Sequence, residues 1–525
     1  MSPVRGTGPA TEPVEPALAA PPSPAARAGL LTAIATLALA AGSGLQAVLY
    51  LSRFGLSQRT DAFFAAFAAY TVFGVFCQAM RVTSVPLLVG DARMAALGEL
   101  AFARALAVIA VPVLVACELV PTPLAAVLAP GAHGGARELC VEALRILGGA
   151  MVLQLAAAGI ATVLGIRGRF GTMAQAYVAG AAIGVATYLA CERAAGELAL
   201  GWSMLAMAAV TAAWLLRSLV AGPRAKGGAR PVRGSQNVTG AGVGEAMRGA
   251  AAILGRTAIY FVFNGLYLVS LAFATRASPG DATVLSYAYL FASYVVAGTG
   301  TAIGISRVPD LTRGAQDDWD DVVADTVPHG FRYAMLAAAP ALGALIASGA
   351  QLIGSLLPHS LPDAQVSTLE GFAALLVPWT IGALLVNFAL PALFALERAA
   401  LINRLAVPAV ALHVLITLGG YALGGVWGVV ATFWVTPAVL AAILVGIGTG
   451  HRRWRVAREI GVDSVRACGL AAATFALGAI AGRVLGHSTA AAVLAGGVGA
   501  GLYLVGMRIL APRPLQVLLG ARRAT

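Results

Sequence analysis

Residues 42–90 read GSGLQAVLYLSRFGLSQRTDAFFAAFAAYTVFGVFCQAMRVTSVPLLVG. An apolar run ends, a short polar segment from Ser52 to Thr60 follows, and a second apolar run begins at Asp61 with Phe63 and Phe64 close behind. A carboxylate suits the first turn of a helix, where free N–H groups and the helix dipole favour negative charge. Arg53 and Arg59 stand in the same polar turn. The stretch predicts a helical hairpin: two spans of a membrane joined by a capped turn.

The rest of the chain has the same character. It has 525 residues, is 59% hydrophobic and carries only 11% charged residues, with mean hydropathy +0.84. A soluble chain carries about 25% charged residues. Many runs reach the roughly 20 residues needed to cross a bilayer. The fold class is therefore an all-α polytopic membrane protein. The formal charge of +12 is placed as membrane topology places it, and no nucleic-acid partner is expected. The five cysteines have no C-x-x-C spacing, so neither a disulfide framework nor a metal site is expected. No cofactor is expected either.

We read about fourteen spans, near 28–51, 61–90, 99–128, 139–165, 171–192, 196–218, 249–275, 282–308, 332–357, 369–395, 400–421, 424–449, 465–485 and 488–510. With the N-terminus in the cytoplasm, the basic linker 221–248 (Arg224, Lys226, Arg230, Arg233) and the loop 451–464 (Arg452, Arg453, Arg455, Arg458) both fall inside. The expected order is a disordered cytoplasmic tail (1–25), an N-lobe of six spans (26–220), the linker (221–248), a C-lobe of six spans (249–450), a cytoplasmic loop (451–464), two further spans (465–512) and a cytoplasmic tail (513–525).

The two sides of the linker repeat one another. V-P-L-L at 85–88 matches V-P-D-L at 308–311. L-A-P-G at 128–131 matches L-L-P-H at 356–359, and the exit of span 4 at 164–170 matches that of span 10 at 394–398. The offset stays at about 223 to 230, which predicts two six-helix lobes related by a pseudo-two-fold along the membrane normal. The Asp cluster at 317–325 lacks the Gly and Glu positions of a calcium loop and reads as a solvated amphipathic helix.

Several motifs resemble those of the MurJ (MviN) lipid II flippases, within the multidrug/oligosaccharidyl-lipid/polysaccharide exporter superfamily. They are G-L-S-Q-R-T-D-A-F-F-A-A-F with S-V-P-L-L in the first hairpin, L-G-I-R-G-R-F-G-T-M at 164–173, S-Y-A-Y-L-F at 286–291 and G-T-A-I-G-I-S-R-V-P-D-L-T-R at 300–313. The resemblance implies two lobes around a central cavity that opens alternately to either side. It also implies arginines holding a pyrophosphate, at positions falling near Ala40, Gln46, Gly74 and Leu290. None of these is basic here. A cation site in span 11 would fall near His413 and Thr417.

Ionisable groups inside spans are costly and are functional candidates by default. Candidate substrate contacts are Arg81, Gln46, Asp61, Arg53, Arg59, Asn264 and Arg256; His413 is the candidate ion-coupling residue. Glu118, Glu142 and Arg145 read as an outer-face ion-pair set, and Gln154 and Asn387 as polar contacts between helices. The expected function is a flippase for a lipid-linked envelope precursor in the bacterial inner membrane. Its partners would be that precursor, membrane lipids and envelope-synthesis proteins. The alternative is an ion-coupled efflux transporter for a hydrophobic small molecule. A membrane enzyme ranks below both, because every outer loop is short.

Overall fold

The computed structural model describes residues 24–84, 88, 99–221, 243–301, 319–349, 363–395, 399–485 and 489–510. Among them there are helices and no strands. In chain order these are α1 (Pro24–Phe54), α2 (Gln58–Thr83), α3 (Glu99–Leu119), α4 (Pro121–Leu128), α5 (Gly135–Ile166), α6 (Phe170–Ala195) and α7 (Ala199–Ala221) before the linker. After it come α8 (Val243–Ala274), α9 (Asp281–Val296), α10 (Trp319–Ala344), α11 (Asp363–Leu375), α12 (Val377–Ala395), α13 (Ala399–Asn403), α14 (Ala406–Thr432) and α15 (Val435–Thr449). The last pair is α16 (Arg453–Leu485) and α17 (Thr489–Leu510).

Among the described residues, ten helices are long and apolar enough to cross a membrane, or eleven when the bent pair Gln365–Leu375 and Val377–Leu390 counts as one span. Some of these long segments are interrupted at Gly196, Gly425 and Gly450, with φ of 57°, 57° and 51°. Side chains bearing a Cβ avoid that region, so the chain turns there. Divided at those points, the helices coincide with expected spans 2 to 14, and α1 supplies span 1.

Proline sets the departures from the expected limits. Pro121 starts α4 and splits the expected third span, while Pro378 sits just past the 41° bend in the tenth. A proline cannot donate to the preceding turn and clashes with its carbonyl. Expected span 8 runs as α9 and a π-turn to Thr301; the V-P-D-L motif after it lies outside the described residues.

Two readings are corrected. Residues 451–464, read as a loop, continue as helix, because Val456 and Ile460 are buried on one face of α16. The acidic segment, read as a solvated amphipathic helix, is helical from Trp319 and Asp325 is exposed, but its carboxylates are tied to α16 by ion pairs. Asp321 pairs with Arg452, Asp325 with Arg455 at 2.8 Å, and Arg332 of α10 with Asp463 at 2.8 Å. Further along, Phe475 of α16 fills a notch that bare glycines leave at Gly343 and Gly499. The last two helices are thus fastened to α10.

Helices α1 to α7 pack chiefly on one another, α2 on α5, α1 on α6 and α5 on α7; α8 packs on α14 and α12 on α15. Between these groups α2 and α3 lie along α8, and α9 meets α2. That seam positions the candidate site.

Candidate functional site

One end of the seam is closed by a cap shared between the two halves. Helix α2 caps itself: Ser57 Oγ accepts from Thr60 N–H at 3.1 Å, and Thr60 Oγ1 accepts from Ser57 N–H at 2.9 Å. The Asp61 carboxylate is thereby free for another helix. Its oxygens accept from Gly280 N–H (2.6 Å), Thr283 N–H (2.8 Å) and the Thr283 hydroxyl (2.7 Å), all at the start of α9. Gly280 is the N-cap residue of α9, with φ of 97° and no side chain to cap with. Asp61 supplies what α9 lacks, and it does so from the other half of the chain.

Thr60 Oγ1 and Thr283 Oγ1 lie 3.3 Å apart and are 223 residues apart in sequence, the offset of the repeat. The counterpart of Asp61 at the same offset is Val284, so the cap runs in one direction only.

Beneath the cap lies an aromatic layer. Phe64 packs against Tyr287 (centroids 5.1 Å) and Tyr50 stacks on Phe63 (4.9 Å). Tyr287 donates across the seam to the Ala47 carbonyl at 2.5 Å. Beside the cap, Gly131 N–H donates to Thr275 Oγ1 at 3.4 Å, and Gln58 Nε2 donates to the Gly131 carbonyl at 2.7 Å. A Cβ on Gly131 would lie 1.7 Å from the Thr275 carbonyl oxygen, so only glycine permits this approach of two backbones.

The seven candidate contacts do not form one site. Asp61 and Arg81 stand near opposite ends of α2, about 30 Å apart at 1.5 Å per residue. Asp61 is buried, with both oxygens engaged in the cap. Arg59 pairs with Glu197 at 2.6 Å, and Arg53 is exposed. The ion pair at this end of the bundle forms between Arg59 and Glu197, while Glu118, Glu142 and Arg145 are exposed. Arg81 is half-buried; its guanidinium lies 5.2 Å from the ring centre of Tyr177 and donates to that hydroxyl at 3.4 Å. Asn264 bonds back to the Tyr260 carbonyl and receives Tyr289 Oη at 3.4 Å, while Arg256 is half-buried on the linker side of α8. Gln46 is buried against Ser203.

His413 is fully buried and joins three helices. Its Nε2 lies 3.0 Å from Ser270 Oγ on α8 and its Nδ1 3.2 Å from Thr436 Oγ1 on α15. Its ring also meets Phe433 edge-on at 5.6 Å. One turn further along α14, the buried hydroxyl of Thr417 has no partner among the described residues. An imidazole between two hydroxyls can donate from one nitrogen and accept at the other, and can exchange those roles.

Gly280, Thr283, Thr275, Ser270 and Thr436 escaped the reading of the sequence, and Gly131 and Tyr287 entered it only as parts of longer motifs. The G-D-A-T start of α9 at 280–283 was the available signal, because it lies one repeat offset from the Asp61 turn.

The geometry defines a two-part bundle of membrane-type helices closed at one end by a one-sided cap. This fold is similar to that of the lipid II flippase MurJ in an inward closed conformation: TM-score 0.67, 12% identity, covering 92% of this chain and 99% of that one. It is also similar to the eukaryotic MATE transporter AtDTX14 (TM-score 0.55, 14% identity, 85% and 100% covered) and to MATE in complex with MaD5 (TM-score 0.55, 14% identity, 83% and 96% covered). At such identities the likeness is one of fold. No family model matches the chain, and no curated protein matches it by sequence.

Proposed function

We propose that this protein is an alternating-access flippase. It moves a lipid-linked cell-envelope precursor, peptidoglycan-type or another polyprenyl-linked glycan, from the inner to the outer leaflet of the bacterial cytoplasmic membrane. The observation that carries this reading is the cap at the seam: Asp61 of one half holds the first turn of α9 in the other. A closure made of a few hydrogen bonds and an aromatic layer is one that bundle rocking can break and remake. Both termini lie in the cytoplasm in this reading, and the capped end faces outward.

Within that class the lining favours a headgroup carrying less charge than a pyrophosphate, which sets a peptidoglycan-type precursor behind another polyprenyl-linked glycan. A doubly charged headgroup in a low-dielectric cavity needs cations to offset it. Gly74 packs against Gln154, Gln46 bonds Ser203, and Leu290 is buried apolar. Arg81 is the cation we assign to headgroup binding, at the cytoplasmic entrance, and His413 is the coupling residue.

The same lack of cations favours a second reading, ion-coupled efflux of a hydrophobic small molecule. One experiment separates them. Cells lacking the protein should accumulate a lipid-linked glycan on the inner leaflet, and the protein should fail to rescue a strain depleted of MurJ. Accumulation of no lipid-linked intermediate, with new sensitivity to hydrophobic compounds, supports efflux. Full rescue with lipid II reaching the outer leaflet overturns the argument from charge.

A further inference from the structure

His413 stands where three helices converge. Helix α14 carries it, α8 brings Ser270 to Nε2 at 3.0 Å, and α15 brings Thr436 to Nδ1 at 3.2 Å. All three side chains are buried. Helix α8 also flanks the seam, since α2 and α3 of the first half lie along it. The imidazole therefore bonds to a helix that must shift when the two halves rock.

Charges around this point are few and distant. Helices α14 and α15 carry no Asp, Glu, Lys or Arg, and neither does α12, which packs on α15. On the α8 side, Arg256 precedes Ser270 by about 21 Å along the axis and Arg276 follows it by about 9 Å, at 1.5 Å per residue. The Arg276 guanidinium lies over the Phe273 ring, 5.6 Å from its centre. Glu370 of α11 stands beside Gly371, which packs on Trp427 near the far turn of α14. On α10, Asp321, Asp325 and Arg332 pair with α16, and His329 bonds its own helix. Of the phenols, Tyr267 is bonded to Ser286, Tyr289 to Asn264 and Tyr421 to the Arg276 carbonyl.

These surroundings decide what the site can bind. The two ring nitrogens point to opposite sides of the imidazole, so Ser270 and Thr436 cannot converge on one metal ion. Thr417, one turn along α14, adds only another neutral hydroxyl. No carboxylate of α8, α14 or α15 is at this depth to offset a metal ion's charge, and among the described residues no three His, Cys, Asp or Glu side chains gather to hold one. A proton needs no such set, because the ring itself binds it. The neutral ring donates at one nitrogen and accepts at the other. The protonated ring donates at both, and the hydroxyl that had donated to it turns to a carbonyl one turn back on its own helix. Both bonds are kept, but a charge is then buried without a counter-charge.

We propose that His413 is a proton-binding site and that the ion coupled to transport is a proton. The proposal rests on the reading of His413 as the coupling residue. The neutral ring fits the closed seam; the charged ring favours arrangements in which α8 has shifted and water reaches the junction. Proton binding and opening of the seam then favour one another.

Nitrogen NMR of the full chain in lipid bilayers, labelled at histidine, tests this without any substrate. The variant carries His133→Gln, His329→Gln, His359→Gln, His451→Gln and His487→Gln, which leaves His413 as the sole imidazole. His133, His329 and His451 are exposed, so these changes spare the packing there. Thr60→Cys and Thr283→Cys are added to lock the seam by oxidation. In the reduced protein, acidification to about pH 5 should convert the ring from one protonated nitrogen to two. Oxidation should lower the protonated share several-fold at the same pH, and reductant should restore it. Exchanging sodium for choline at constant pH should leave the spectrum unchanged. A ring that stays neutral wherever the protein is folded overturns the proton site, and so does a sodium-dependent shift at constant pH. An equal protonated share in the oxidised and reduced proteins overturns the link to the seam. The flippase reading fails separately, by the absence of an accumulated lipid-linked glycan.

Discussion

Replacing Asp61 by Asn isolates the cap, because the side chain keeps its shape and loses its charge. The carboxylate receives three hydrogen bonds, at 2.6, 2.8 and 2.7 Å. An amide offers one oxygen, so its NH2 must face either Gly280 N–H or Thr283 N–H, and in both orientations donor meets donor. A hydrogen bond to a charged group contributes about 1.5–3 kcal/mol, and the opposed donors add to the loss. Taking about 3 kcal/mol, the closed form loses on the order of 100-fold in population relative to forms open at this end. The reporter is Ala47→Cys in a background without the five native cysteines, since Ala47 is 3% exposed beneath the cap and faces Tyr287 across the seam. An impermeant thiol reagent applied from outside should label it much faster in Asp61→Asn than with Asp61 intact. Equal labelling rates in the two backgrounds, with both proteins folded, would refute the assignment of Asp61 as the closing group.

Three further outcomes follow from the same geometry. Thr60→Cys with Thr283→Cys should form a disulfide under mild oxidation, since the two oxygens are 3.3 Å apart, and transport should stop until a reductant is added; transport that continues through full cross-linking would mean that the seam does not open here. Gly131→Ala forces the loop away from the Thr275 carbonyl and should raise Ala47→Cys labelling, while Gly171→Ala, where nothing lies within 4 Å, should leave it unchanged. Arg81→Ala should abolish transport at normal expression, whereas Tyr177→Phe keeps the ring under the guanidinium and should retain most activity; wild-type transport in Arg81→Ala assigns that arginine to packing against Tyr177.

The spans were legible because insertion into lipid is decided locally, residue by residue, and apolar runs report it directly. Asp61 was legible as a helix-start carboxylate for the same local reason. Its partner was not, because Ser57 and Thr60 already satisfy the start of α2, and local rules say nothing about a second helix 222 residues away. Residues 451–464 were misread because charge density resembles a loop until the acidic face of α10 is placed opposite it. His413 stood out as a buried ionisable group, but Ser270 and Thr436 are ordinary hydroxyls that gain meaning only when α8, α14 and α15 converge.

Composition and periodicity determined that this is a multi-span helical protein, since those properties follow from transfer energies and spacing along one chain. Only the tertiary structure decided that the halves meet at Thr60 and Thr283 and that one carboxylate closes the seam from one side. Hydrogen bonds act over about 3 Å between groups that the sequence separates by hundreds of residues, and packing alone brings such groups together.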